Sequence, residues 1–353
     1  AGAPRMKAIV HIGMPKTGST SIQAWLNANV DFLSARGAAF DPLRMAEMPK
    51  RMTGHQGLAI CFRNAIGRPP ENPSLKLPLK IHSAEDMTAF AARYEAFMRT
   101  SLARLGGDTF VISCEYLGGA VRSADDAAAL DRWLSGFFAE RRYVVYFRRQ
   151  EDWIASSYSE RIKRGATETL DEVIEKHGVQ NWFKRAKNFT DALGDGAIDI
   201  RLMEGDFLAN GDLIEDFASV IGASAEGSML PERRNEALSA PAAEILRSVN
   251  AAVSHTVADG RRINPAKQQV RRVLLAQKVA APRIALSGAQ IDLVRERNRS
   301  SNERLRARFF PDREALFPRR QSAENPRLAP EDVARAAADL ALKMSGVEEG
   351  ARP

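Results

Sequence analysis

The chain has 353 residues, 44% of them hydrophobic and 27% charged, the make-up of a globular protein with a core, and 51 Lys and Arg against 44 Asp and Glu give a formal charge of +7. That excess favours anionic ligands but does not choose among nucleotide, acidic glycan, nucleic acid and membrane surface. Two cysteines, Cys61 and Cys114, in no C-x-x-C spacing argue against a disulfide framework or a zinc site, and the longest apolar runs fall far short of the roughly 20 residues of a bilayer span.

The predicted elements begin with a strand, Lys7–Ile12, then a Gly/Thr/Ser loop and a helix with Ile22, Trp25, Leu26, Val30 and Leu33 on its apolar face. Residues 41–88, rich in Pro, Gly and Met without a sustained period, read as a lid-like insertion over a site. A helix carrying Phe90, Tyr94, Phe97, Met98, Leu102 and Leu105 ends at Gly106-Gly107-Asp108, and the strand 109–113 follows. Leu130, Trp133, Leu134, Phe137 and Phe138 mark the next helix. It feeds the strand 143–147, apolar without alternation, as in a sheet buried on both faces. A strand over 197–202 precedes a helix with Leu213, Phe217, Val220 and Ile221. This alternation predicts an α/β fold of three layers: a central, mainly parallel sheet flanked by helices, with ligands beyond the strands' carboxyl ends. The division expected is an α/β core over 1–235 and a helical C-terminal region, 236–353, packing on the same domain. Ala1–Arg5 has no apolar h-region behind it, so a cytoplasmic protein is expected.

The loop after the first strand reads Gly13-Met14-Pro15-Lys16-Thr17-Gly18-Ser19-Thr20-Ser21. Gly13 and Gly18 have the spacing of a Walker A motif, but Ser19 stands where its lysine belongs and the lysine comes three positions earlier, at Lys16. Small residues at a helix start still let backbone N–H groups approach an anion. A plain β–α turn is the alternative. The string Pro15–Ser21 resembles the 5′-phosphosulfate loop of the sulfotransferases that use 3′-phosphoadenosine 5′-phosphosulfate (PAPS), whose pattern is P-K-[ST]-G-[ST]-[ST]. His11–Gln23 is similar to the bacterial branch of that P-loop-like family. The resemblance implies that Lys16 neutralises charge on the leaving group and that Thr17, Gly18, Ser19, Thr20 and Ser21 hold the 5′-phosphate. It further implies no required metal and a hydroxyl-bearing acceptor such as a carbohydrate or glycolipid. Nucleic acid is not an expected partner, and membrane contact is at most peripheral.

The same family places an Arg, and a Ser eight residues later, at the 3′-phosphate. Arg148 with Ser156 and Arg149 with Ser157 both fit, and the first is preferred because Tyr158 then falls in register. For the base that takes the acceptor's proton, Glu115, after the strand 109–113, leads; His55, in the insertion, is second and His11 third. Trp182 is either an adenine-stacking ring or core. Arg233-Arg234-Asn235 sits roughly where the family has a late basic loop, and the arginines from Arg295 to Arg320 read mostly as a solvated helix face. Competing readings are a P-loop kinase or other ATP-binding protein, a module for anionic polymers, and an inactive relative of the enzyme.

Overall fold

A computed structural model describes residues 6–230, 237–254, 264–277, 281–319 and 328–345. Its sheet is built from β1 (Lys7–Ile12), β2 (Ala38–Ala39), β3 (Thr109–Cys114), β4 (Glu140–Phe147) and β5 (Ile198–Leu202) in the order β2-β3-β1-β4-β5. Every pairing is parallel, and Ile12 lies level with Cys114 on one side and Val145 on the other. β1 is thus central, and the chain passes from it first to one side and then to the other. The carboxyl ends of β1, β3 and β4 lie side by side at this switch point, where open α/β sheets bind their ligands.

Period-two alternation assigns each strand residue to a layer. Val111, Val144 and Tyr146 pack with Ile22, Trp25 and Leu26 of α1 (Ser19–Ala28) and with Ile214 and Phe217 from later in the chain. The opposite face of β4 turns Tyr143 onto Phe189 and Phe147 onto Trp182. The expected first helix is broken: α1 stops at Ala28, and α2 (Val30–Ser34) starts beyond Asn29. There the Asn29 side chain donates to Trp25 O (2.7 Å) and Met229 O (2.8 Å) and accepts from Met229 N.

The 41–88 segment is packed rather than open. Its helix α3 (Gln56–Ala65) buries Leu58, Ala59, Ile60, Cys61 and Phe62 completely. After α4 (Pro73–Lys76), α3 packs on α5 (Ala84–Leu102), which opens with a Ser83/Asp86 capping box. Two short elements follow, α6 (Glu115–Ala120) directly after β3 and α7 (Ala124–Ser135) before β4. α7 ends at Gly136, so Phe137 and Phe138 lie beyond the helix to which their spacing assigned them.

The chain divides into two compact units, along a line other than residue 235. The first takes residues 1–148, 181–233 and 301–316. The second takes 149–180, 234–300 and 317–353 and is helical in its described residues. The reason is α8 (Gln150–Lys163): its apolar stripe, Ile154, Tyr158 and Ile162, shares a core with α9 (Leu170–His177) and with Leu246, Leu274 and Val294. α10 (Trp182–Leu193) and α11 (Leu213–Val220) belong to the first unit. α12 (Ala240–Ala252), α13 (Pro265–Ala276) and α15 (Pro330–Ser345) belong to the second, and α14 (Gly288–Phe309) passes into the first at Ser301.

Candidate active site

The loop between β1 and α1 forms because two glycines stand where no side chain fits. A Cβ on Gly13 would lie 2.5 Å from Glu115 Cα and 2.6 Å from Ser19 Oγ. Gly18 has φ +81°, and a Cβ there would lie 2.2 Å from Leu213 Cδ2. Lys16 is also left-handed, at φ +64°, a conformation that costs a residue with a Cβ about 1–2 kcal/mol. Thr17 closes the turn, its N–H and hydroxyl both donating to Met14 O at 3.3 and 2.8 Å. α1 then begins at Gly18 with no side-chain cap and no acid in its first turn. Its first N–H groups carry the positive end of the helix dipole, a cradle suited to an anion. Within the run 17–21 the hydroxyls differ: Thr17 is buried, Ser19 lies inside the turn with Oγ 3.5 Å from Met14 O, and Thr20 and Ser21 are exposed.

Arg148, the first residue after β4, donates from Nη1 to Lys16 O at 3.2 Å. Its own carbonyl accepts from Trp182 Nε1 at 2.9 Å, and the fully buried Trp182 ring stacks on Phe147 at 5.1 Å. Trp182 is therefore core, and the adenine-stacking role is withdrawn. Arg149 turns into the second unit. It is 2% exposed, donates to Pro318 O and pairs with Glu151 at 3.7 Å. Arg148 thus touches the loop through the Lys16 carbonyl. Ser156 and Ser157 are half-buried on α8 of the second unit.

Glu115 is the first residue of α6, half-buried, with its Cα against Gly13. Gly13 N donates to Cys114 O at 3.2 Å, and a Cβ on Gly118 would lie 2.6 Å from Gly13 O. The β3–α6 junction and the cradle are thus pressed together backbone to backbone.

His55 is placed differently from a base. β2 covers β3 only as far as Phe110, and His55 completes the edge at Ser113. Its N–H donates to Ser113 O at 2.9 Å, and Nδ1 accepts from Ser113 N at 3.0 Å. With Nδ1 an acceptor, the ring proton is on Nε2 and is donated to Asp41 O at 2.9 Å. Both nitrogens are spent on backbone, and burial pushes the pKa down to about 4. The base role read for His55 is corrected to that of a brace. His11 is buried among Tyr146 and Phe217, bonded through Nδ1 to Ser113 Oγ (2.9 Å), with its pKa lowered by burial to about 3. It is a core residue as well.

No family model matches the chain, and no curated protein matches it. Among solved structures, a sulfotransferase from Alicyclobacillus acidocaldarius aligns with 76% of this chain and all of its own, at 15% identity and a TM-score of 0.35. The sulfotransferase domain of the curacin biosynthetic pathway aligns with 84% of this chain and 98% of its own, at 11% identity and a TM-score of 0.33. Scores of this size leave the functional reading to the residues themselves.

Among the described residues no cluster of three His, Cys, Asp or Glu could hold a metal ion, and no helix is long and apolar enough to cross a membrane. Most of the described arginines in the rich stretch are ion-paired, among them Arg295 with Glu151, Arg297 with Glu175, Arg306 with Glu303, Arg308 with Asp195 and Arg313 with Asp206, while Arg304 lies over the Phe183 ring. Arg233-Arg234-Asn235 lie outside the described residues. One residue overlooked in the sequence is Arg185. It lines a small cavity with Met14 and Gly118, and its place among Trp182, Phe183, Ala186 and Phe189 on the buried face of α10 was the available signal.

Proposed function

We propose that the chain is a sulfotransferase that moves a sulfuryl group from PAPS to a hydroxyl acceptor, with a carbohydrate as the acceptor class. The observation that carries this reading is Arg148 bonded to the carbonyl of Lys16, in a glycine-shaped loop whose lysine is displaced from the Walker position. An ATP-using enzyme needs its lysine where Ser19 stands, and Ser19 is 4% exposed and turned toward Met14 O.

The groups present suit the donor. Its 5′-phosphate matches the uncapped N–H groups at the start of α1, and its 3′-phosphate matches the guanidinium of Arg148. The bound donor would supply an electrophilic sulfur and a phosphate leaving group. Lys16 would stabilise the charge that grows on that phosphate as the bond to sulfur breaks. Glu115, on the junction pressed against Gly13, would take the acceptor's proton. Ser156, on α8 of the second unit, enters the proposal as a residue to be tested, not as a contact.

The test is a thermal shift. 3′-Phosphoadenosine 5′-phosphate (PAP), the desulfated product, should raise the Tm at micromolar concentration, and magnesium–ATP should do so far less. Equal stabilisation by the two ligands defeats the sulfotransferase reading.

A further inference from the structure

α10 lies on the face of the sheet opposite α1, and Arg185 reaches from it to the β3–α6 junction, where Nη1 donates to Gly118 O at 2.9 Å. Gly118 is packed on the loop itself: a Cβ there would lie 2.6 Å from Gly13 O and 2.7 Å from Met14 Sδ. Two short contacts therefore join the guanidinium to the residue that opens the cradle. The space beside it is no larger than a water molecule, and its other walls, Ile12, Met14, Val121, Val145 and Phe147 among them, are apolar.

Arg185 has no carboxylate partner among the described residues, and burial lowers its pKa with no nearby acid to raise it. The other arginines at the end of α6 differ in this respect. Arg68 donates to Ala120 O and grips Asp126 with both arms, at 2.9 and 3.0 Å. Arg122 donates to Gly119 O and reaches Glu71 at 3.3 Å. Their charges are cancelled on the spot. Gly118 O takes one of the five N–H donors of Arg185, and a carbonyl offsets only part of the hydration that a guanidinium gives up. A cation so placed is unfavourable until an anion binds within reach of its field.

We propose that Arg185 is a positioning residue for the sulfuryl donor: it ties the β3–α6 junction to Gly13, and its charge, acting through apolar walls, raises the affinity of the cradle for the 5′-phosphate. The identity of the donor rests on the sulfotransferase reading, whereas the charge acts on any anion in the cradle. Such a cation need not touch the phosphate, because apolar surroundings screen it far less than water does. At a separation on the order of 10 Å and an effective dielectric of about 20, one opposite charge attracts another by enough to change affinity roughly tenfold. The hydrogen bond to Gly118 O and the charge are separable, since a neutral amide can supply the first without the second.

The experiment measures by calorimetry how PAP, adenosine 3′-phosphate and inorganic pyrophosphate bind to the full-length wild type, Arg185→Gln and Arg185→Lys. Both variants keep a donor for Gly118 O, and only Arg185→Lys keeps the charge. Arg185→Gln should bind PAP about tenfold more weakly than the wild type. Adenosine 3′-phosphate lacks the phosphate that the cradle holds, so its affinity should change by no more than about twofold. Arg185→Lys should recover most of the loss. Unchanged PAP affinity in Arg185→Gln overturns the proposal, and so does an Arg185→Lys variant that binds PAP no better than Arg185→Gln. Equal losses for the two nucleotides would put the effect outside the cradle and overturn it as well. Pyrophosphate separates the charge from the identity of the donor. If the wild type fails to bind PAP, the sulfotransferase reading falls; weaker pyrophosphate binding by Arg185→Gln than by the wild type still supports the charge, and no difference between them overturns it.

Discussion

Adjacent residues in this site have opposite surroundings, which makes them separable by mutation. Arg148 is half-buried beside the Lys16 carbonyl, whereas Arg149 is buried on Pro318 and Glu151. Arg148→Ala should weaken PAP binding by about 1.5–3 kcal/mol, measured by calorimetry, with little change in Tm. Arg149→Ala should instead lower the Tm and leave PAP affinity nearly intact, because it strips buried groups of a donor. Glu115→Gln keeps shape and hydrogen bonding but cannot accept a proton. Turnover should fall by about two to four orders of magnitude with PAP affinity preserved, and near-normal turnover would make Glu115 a structural carboxylate. The places of Gly13, Lys16, Gly18 and Arg148 at strand ends were legible in the sequence, because local apolar runs mark those strands clearly. The roles of His55 and Trp182 were not. A loop histidine and a helix-start tryptophan look the same in sequence whether they face solvent or backbone, and only distant partners, Ser113 for one and Phe147 for the other, decide.

Among the elements, the buried strands were readable because they carry short apolar runs, such as Tyr143–Phe147, and α3 was hidden because it carries one too. Five consecutive positions of α3, Leu58 to Phe62, are all buried, so no polar face sets a period of 3.6. β2 has two residues, too few for any pattern, and the break between α1 and α2 depends on Asn29 reaching Met229, 200 positions away. The brace that His55 gives β3 has a pH signature. Its folded pKa of about 4 lies below the unfolded value of 6.5, so the unfolded chain binds the extra proton. His11, at about 3, acts in the same direction. Their contribution to stability is complete above pH 6.5 and is lost as the pH falls toward 4. Thermal melts from pH 7 to 4.5 should show this fall, and His55→Gln should make it shallower while lowering the Tm at pH 7.

At the scale of the whole molecule, the two compact units are built from interleaved segments rather than from consecutive ones. Residues 149–180 directly follow a sheet strand, and nothing local says that Ile154, Tyr158 and Ile162 will share a core with residues beyond 240. The cradle, Arg148 and Glu115 all belong to the first unit. PAP should therefore slow hydrogen exchange at residues 13–21 and leave the amides around Leu246 and Leu274 in the second unit unchanged. Protection that also appears in α8 around Ser156 would bring that serine into nucleotide recognition. The way β3 ends has a consequence for which changes the fold tolerates. A polar backbone group sealed from water without a partner is costly. Ser113 is wholly buried, its N–H is taken by His55 Nδ1, and its carbonyl accepts from His55 N and, at 3.5 Å, from Gln23 Nε2. The imidazole therefore cannot be traded for an apolar side chain of similar size without orphaning that N–H in the interior.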